Sequence, residues 1–340
     1  MTPDNNDLYF PSKNKPKIAV VLLQMGGPYS QELVKPFLIN LFSDKDIIRL
    51  PPFLRPLQGF IARMITLKRL SFVKDNYKLI GGGSPIFQHT SGLTKEVYQE
   101  LTKRGLEDID VTFVMRYSEP RAEEIAEMIK NRNVSKVLLF PLYPHYSQST
   151  TGSSVNDFLK SYSKRSDSKI VEIGDWSTEP FYINWWVEKI RTELESLKSS
   201  PKETKIVFSV HGLPKRYIDN GDPYYDSVKS AVKSIMRNFP DNEYVLAFQS
   251  KVGPIEWLRP YTVDAIDDIA GYGKARDLNL VFVPLGFVSD HIETLQEVDI
   301  LYTDQAKDLG VETIKRTPVP NASEQFAKDV TNFIVPYLEV

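Results

Sequence analysis

Two places in the chain combine residue types and spacing that could do acid–base or metal chemistry. His211 closes the apolar run Ile206-Val207-Phe208-Ser209-Val210 and is followed by Gly212. An imidazole at a strand end has a rigid support and titrates near neutrality, so it can act as a base or ligate a borderline metal. The same position suits a satisfied core histidine equally well, and the chain has only four histidines. The second place is Ser289-Asp290-His291-Ile292-Glu293-Thr294-Leu295-Gln296-Glu297, directly after an apolar run ending at Phe287. The spacing of Asp290, Glu293 and Glu297 predicts one face of a helix. Asp-x-x-Glu at a helix start is also the capping-box pattern, and acids in a first turn are favoured by the helix dipole. A capping box requires neither His291 nor a further carboxylate one turn on. Carboxylate oxygens near a histidine would suit a divalent cation, and Fe(II) accepts mixed nitrogen and oxygen ligands.

Other loops are less pointed. Met25-Gly26-Gly27-Pro28 is a glycine turn but not G-x-G-x-x-G, and no P-loop occurs, so neither dinucleotide nor triphosphate binding is indicated. Gly81-Gly82-Gly83-Ser84-Pro85 follows no apolar strand and reads as a close-packed turn. Arg116 and Tyr117 end a strand pattern, where a cation and a phenol could hold a carboxylate or simply close the sheet with a salt bridge. Tyr143 to Thr151 is rich in hydroxyls and aromatics, more than helix capping needs. In the segment 51–65, Phe53, Leu57, Phe60, Ile61 and Met64 recur at helical spacing among Arg55 and Arg63. Such a basic amphipathic helix can lie on a membrane, cover an apolar ligand or pack on its own core.

The elements that must position these residues follow one rhythm of short apolar run, loop and helical pattern. Strands are predicted at Lys17–Met25, Val111–Tyr117, Lys136–Tyr143, Lys169–Gly174, Lys205–His211, Tyr244–Gln249, Leu278–Phe287 and Glu312–Thr317. Near-continuous Val/Ile/Leu/Phe runs suit parallel strands covered on both faces. The alternation predicts right-handed βαβ units in two open sheets of about four strands each. The pattern breaks at Asp175–Phe181. This places an N-terminal domain over 17–175, carrying the apolar segment, and a C-terminal domain over 176–321, carrying His211 and Glu293. The last helix, 322–338, follows the connector Pro318–Asn321 and is expected to pack back on the first domain. Ligands of open α/β sheets bind beyond the carboxyl ends of the strands, where the loops above lie.

Composition narrows the function classes. At 340 residues, with 41% hydrophobic and 25% charged residues, the chain has the balance of a soluble globular protein. A net charge of −2 gives no basic field for nucleic acid. The absence of cysteine excludes disulfides, thiolate zinc sites, thiol nucleophiles and cysteine-held iron–sulfur clusters. The N-terminal stretch lacks signal or transit patterning and no apolar run is of membrane-spanning length, so a cytoplasmic protein is expected.

Taken together in order, the motifs resemble the ferrochelatase family from about Lys17 to the end. They are Leu23-Gln24-Met25-Gly26-Gly27-Pro28, Val34-Lys35-Pro36-Phe37-Leu38, Asn40-Leu41-Phe42-Ser43-Asp44, Ile80-Gly81-Gly82-Gly83-Ser84-Pro85 and Met115-Arg116-Tyr117. Pro141-Leu142-Tyr143-Pro144, Ser209-Val210-His211-Gly212-Leu213-Pro214, Gln249-Ser250-Lys251-Val252-Gly253-Pro254 and Ser289-Asp290-His291-Ile292-Glu293-Thr294-Leu295 continue the series. The resemblance implies a chelatase-like α/β fold of two Rossmann-like domains, each a four-stranded parallel sheet flanked by helices, with a porphyrin cleft between them. It implies a lyase of haem biosynthesis that inserts Fe²⁺ into protoporphyrin IX with release of two protons. His211 and Glu293 are then the catalytic and metal-contacting pair. Met25, Arg116, Tyr117 and Trp257 match porphyrin-lining positions. Asp290 and Glu297 would extend an acidic path, although Leu301 stands where some members carry a further carboxylate. The 51–65 segment corresponds to an apolar lip, which implies a peripheral membrane contact. Iron is a substrate, and no permanently bound cofactor or iron–sulfur cluster is implied. Without the cysteine-bearing extension of the animal branch a monomer is expected, and the signatures look closer to the protoporphyrin-using branch.

Two rivals use the same features. A porphyrin or haem carrier would need the cleft and lip but not both His211 and Glu293. A chelatase for another metal or porphyrin, such as cobalt or coproporphyrin, would share the fold; such proteins generally use more histidines.

Overall fold

The computed structural model describes residues 8–162, 167–197, 203–271, 275 and 277–339. The chain divides into two compact units, Met1–Gly174 with Pro320–Val340, and Asp175–Val319. The first contains β1 (Tyr9–Phe10), β2 (Ile18–Gln24), α1 (Val34–Ser43), α2 (Gln58–Leu79), α3 (Ile86–Lys103), β3 (Ile109–Met115), α4 (Ala122–Arg132), β4 (Lys136–Pro141), α5 (Ser153–Tyr162) and β5 (Lys169–Glu172). Its sheet runs β1-β3-β2-β4-β5 and is parallel except for β1. All seven residues of β2 are buried, because both faces of the sheet are covered. Ala19, Val21, Leu23 and Val114 meet α4 and α5 on one face. On the other, Phe113 meets Phe87 of α3, and Phe140 meets Phe333 of the last helix.

The second unit contains α6 (Pro180–Leu197), β6 (Thr204–His211), α7 (Lys215–Asp219), α8 (Tyr224–Met236), β7 (Glu243–Gln249), α9 (Thr262–Ala270), β8 (Asn279–Val283), a π-helix at Glu293–Tyr302, α10 (Thr303–Asp308) and β9 (Thr313–Arg316). Its sheet runs β7-β6-β8-β9, all parallel. Val207, Ile266, Phe282, Val298 and Tyr302 pack in its core. Leaving β1 aside, both units share one strand order, in which the chain changes direction across its first parallel strand. That switch lies between β2 and β4 in one unit and between β6 and β8 in the other, where open α/β sheets hold their ligands.

All eight expected parallel strands are present, and the differences are physical. β1 carries no apolar run of its own. It is held by side chains, with the Tyr9 hydroxyl and the Ser12 N–H donating to Asp110, and Thr112 Oγ1 donating to the Leu8 carbonyl. The run expected as Leu278–Phe287 ends as a strand at Val283, because Pro284 has no N–H and Gly286 turns with φ of 99°. The two glycine motifs interlock. A Cβ on Gly83 would meet the Tyr29 carbonyl at 2.4 Å, and one on Gly27 would meet Ser84 Cβ at 2.8 Å, so close approach requires glycine at both.

The last helix, α11 (Glu324–Leu338), packs on α3 within the first unit. Its end is pinned by Lys136, buried on β4, whose ammonium donates to the carbonyls of Tyr337 and Glu339. The 51–65 segment forms a 3₁₀ turn at Pro52–Leu57 and then enters α2. α2 buries Gln58, Ala62, Thr66 and Tyr77 and turns its apolar residues outward. Phe53 is 78% exposed, Phe60 64%, Leu57 49% and Met64 43%, whereas Ile61 is half-buried. The packed-core alternative therefore fails for Phe53, Leu57, Phe60 and Met64, whereas Leu54, Ile61 and Ile65 are half-buried. Among the described residues, no helix is long and apolar enough to cross a membrane.

Candidate active site

In the second unit, β6 delivers His211 to the carboxyl end of the sheet, and the turn after β8 delivers Glu293. His211 Nδ1 and Glu293 Oε2 lie 3.0 Å apart, and the His211 side chain keeps 36% of its exposure while that of Glu293 keeps 11%. The backbone around His211 is tightly held. Tyr224 donates its hydroxyl to the His211 carbonyl at 2.8 Å, and the Gly212 N–H donates to the Gln249 carbonyl at 3.0 Å. A Cβ on Gly212 would stand 2.9 Å from that carbonyl oxygen and 3.4 Å from the Trp257 ring, which is why glycine follows the histidine. Trp257 is buried and stands edge-on to the imidazole, centroids 6.4 Å apart at 81°.

The electrostatics bind the two groups together. Burial alone would lower the His211 pKa, but the Glu293 charge and hydrogen bond, with Glu297 behind them, hold it above the ordinary histidine value. Burial would raise Glu293, yet the His211 charge and hydrogen bond hold it well below the usual carboxylate range. Glu297 goes the other way. Burial and the neighbouring Glu293 charge raise it to about 7, although Ser250 and Tyr302 donate to it at 2.8 and 2.9 Å. His291 is buried and lowered mainly by desolvation, so its neutral form is favoured, with Nδ1 on the Ser289 carbonyl at 3.0 Å.

The helical face expected from Asp290 onward takes another form. The helix that begins at Glu293 is a π-helix, and Asp290 lies before it. Asp290 accepts from Thr294 Oγ1 at 2.8 Å and pairs with Arg316 at 3.1 Å, whereas Glu293 and Glu297 reach toward His211 and Ser250. No capping box forms, because Thr294 Oγ1 accepts from the His291 N–H and donates its own hydroxyl to Asp290. Among the described residues, no group of three or more His, Asp or Glu is arranged to hold a metal by itself.

In the first unit, Met25, Arg116 and Tyr117 come together at the strand ends, as the Arg116 and Tyr117 N–H groups donate to the carbonyls of Gln24 and Met25. Asp44, to which the sequence reading gave no role, organises them. It accepts from the hydroxyls of Tyr117 and Ser153, each at 2.5 Å, and pairs with Arg116 at 3.0 Å. Arg116 also pairs with Asp157 at 3.4 Å. Tyr117 is 3% exposed, and burial followed by the Asp44 charge pushes its pKa well up. The hydroxyl-rich loop is partly spent on turns. Ser147 caps a π-turn at Gln148–Gly152, and Tyr143 shares a hydrogen bond with Ser154 at 3.1 Å. Gln249 is the other unanticipated residue, donating to Glu293 from the end of β7. Only its place in a family motif marked it.

Solved structures with the same fold include CbiX, described as the terminal enzyme for biosynthesis of sirohaem in denitrifying bacteria. It is 12% identical with a TM-score of 0.51, covering 95% of this chain and all of that one. SirB from Bacillus subtilis, solved with Fe³⁺, is 10% identical with a TM-score of 0.52 and 93% coverage of both chains. At such identities the likeness speaks for the fold alone. Sequence relatives are nearer. The ferrochelatase of Trichodesmium erythraeum is 41% identical over 95% of this chain and 83% of its own length. That of Citrifermentans bemidjiense is 42% identical over 94% of this chain and 98% of its own. The sequence model of the ferrochelatase family matches residues 17–337, nearly the whole chain, and with these relatives it shows that the chain belongs to the ferrochelatase family.

Proposed function

We infer that the chain inserts ferrous iron into protoporphyrin IX, releasing two protons to make haem, and that His211 and Glu293 carry the exchange. The observation that supports this reading is the 3.0 Å pair of His211 Nδ1 and Glu293 Oε2 at the switch point of the second sheet. With Glu293 ionised, the Nδ1–H of neutral His211 donates to it, which leaves the Nε2 lone pair free. Nε2 can then take a pyrrole N–H proton, and the adjacent carboxylate stabilises the imidazolium that forms. Among the described residues no group of three or more His, Asp or Glu could hold a metal, so macrocycle nitrogens would complete the coordination of iron beside this pair. Glu297, poised near neutrality and joined to the pair through Ser250, receives protons on their way out.

The same reading assigns Met25, Arg116, Tyr117 and Trp257 to the macrocycle. It takes Phe53, Leu57, Phe60 and Met64 as an apolar lip for a poorly soluble substrate and for peripheral contact with a membrane. Ferrous iron and porphyrin are substrates, with no resident cofactor, and the working protein is a cytoplasmic monomer.

The test is anaerobic incubation of the purified protein with Fe²⁺ and protoporphyrin, following haem by absorbance beside His211→Ala. Haem formation that collapses in the variant is expected. Tight porphyrin binding without insertion by the unsubstituted protein would leave a carrier instead, and insertion of Co²⁺ but not Fe²⁺ would reassign the metal.

A further inference from the structure

This inference rests on the iron-insertion reading and concerns a residue to which that reading gives no part. Gln249 ends β7, pairs with His211 in the sheet register and is 2% exposed. Its amide is held at both ends. Ser209 Oγ donates to Gln249 Oε1 at 2.5 Å, so the 3.1 Å contact between Ser209 and Thr262 must take its proton from Thr262. With Oε1 committed as acceptor, Nε2 faces Glu293. It donates to the Glu293 carbonyl at 3.2 Å and reaches the carboxylate Oε2 at 3.4 Å. That oxygen is the one 3.0 Å from His211 Nδ1. Ser209 is fully buried and Thr262 is 1% exposed, so the brace lies inside the core of the unit.

We propose that Gln249 is a positioning residue for iron insertion, its amide, oriented by Ser209 and Thr262, fixing the Glu293 carboxylate so that Oε2 meets the imidazole. A buried amide needs partners in any case, and Ser209 with the Glu293 carbonyl would satisfy it. The contact with the carboxylate oxygen is what separates positioning from mere satisfaction. It ties the Glu293 side chain, which the π-helix presents, to the strand pair that carries Gln249 and His211.

The decisive variant is Gln249→Met, close in shape and without the donor. Its kcat for haem formation should fall about tenfold with KM for porphyrin unchanged, since a catalytic group misplaced by about 1 Å can cost up to ~10²-fold. Ser209→Ala, which frees the amide without touching Glu293, should lower kcat by about threefold and stands in if Gln249→Met does not fold. A second readout needs no turnover. In substrate-free protein labelled with ¹⁵N-glutamine, the Gln249 amide resonance, assigned from its loss in Gln249→Met or by shift in Ser209→Ala, should move and exchange faster in Glu293→Ala. An amide indifferent to Glu293→Ala overturns the proposal, as does a kcat that stays unchanged or a loss confined to KM. Should the unsubstituted protein insert no iron, the iron-insertion reading fails by itself, and the amide resonance alone decides whether Gln249 holds Glu293.

Discussion

His211 Nδ1 and Glu293 Oε2, 82 residues apart in sequence, meet at 3.0 Å where the second sheet changes direction. The pair is joined by a hydrogen bond in a part-buried setting, so neither partner titrates as it would alone. That relationship sets the pH behaviour of the site.

His211 must be neutral to take a pyrrole proton, and its pKa is held above 6.5 by Glu293 against the opposite pull of burial. The kcat for iron insertion should therefore rise with pH through a midpoint above that value. Glu293→Gln removes the carboxylate and leaves burial dominant, so the midpoint should move down. A midpoint indifferent to Glu293→Gln, in the same anaerobic absorbance assay run across pH, would separate this carboxylate from the base.

Loss of either partner should strike the chemistry rather than binding. A positioned general base contributes about 10² to 10⁴ in rate, so His211→Ala should lower kcat by at least about 10²-fold. Porphyrin affinity, measured by quenching of protein fluorescence, should remain within about threefold of that of the unsubstituted protein.

Glu297 links pH to stability with the sign opposite to an ordinary salt-bridged carboxylate. Its folded pKa lies above the unfolded one, at about 7 against 4.5. Folding therefore takes up a proton there. The contribution to stability is complete below pH 4.5 and is lost as pH rises through about 7. Across that window the thermal midpoint of Glu297→Gln should gain on that of the unsubstituted protein by a few degrees as pH rises. Parallel curves would show that Glu297 does not titrate there.

Asp44 should matter for the first unit more than any surface acid. Asp44→Ala would strip Arg116 of its 3.0 Å partner and leave the hydroxyls of Tyr117 and Ser153 without their acceptor. Breaking a buried pair from one side costs about 3 kcal/mol or more. Urea unfolding should show a loss of that size, reduced to the extent that Asp157 takes over Arg116.

The outward apolar face near the start of α2 should contribute to ligand delivery and little to folding. Phe53, Leu57 and Phe60 are 78%, 49% and 64% exposed, so replacing all three by serine should leave the thermal midpoint unchanged. The same protein should show a higher KM for porphyrin and weaker co-sedimentation with vesicles. Unchanged values of both would remove the lip from the mechanism.

Much of the fold was legible because its signals are local. Parallel strands buried on both faces need near-continuous runs of β-branched and aromatic residues, and such runs marked most of the eight parallel strands, including the one that ends on His211. β5 and β9 carry only short ones. The resemblance to the family supplied the pairing of His211 with Glu293, which periodicity alone could not. Its motifs also contained Asp44 and Gln249 without saying what either holds.

By itself, then, the sequence determined the α/β alternation, the histidine at a strand end and the absence of every cysteine-based chemistry. Tertiary structure gave a geometry to the pairing with Glu293 that only the resemblance had implied, and decided where the other carboxylates go. Glu293 turned to His211, Asp290 was taken by Arg316, and Asp44 reached across 73 residues to Tyr117. It also decided that α2 buries Gln58, Ala62, Thr66 and Tyr77 and leaves Phe53 and Phe60 outside. The reason is one of range. Hydrophobic periodicity is written in neighbouring residues, whereas a hydrogen-bond partner is chosen by strand order and by side-chain rotamers that exist only once the sheets have formed.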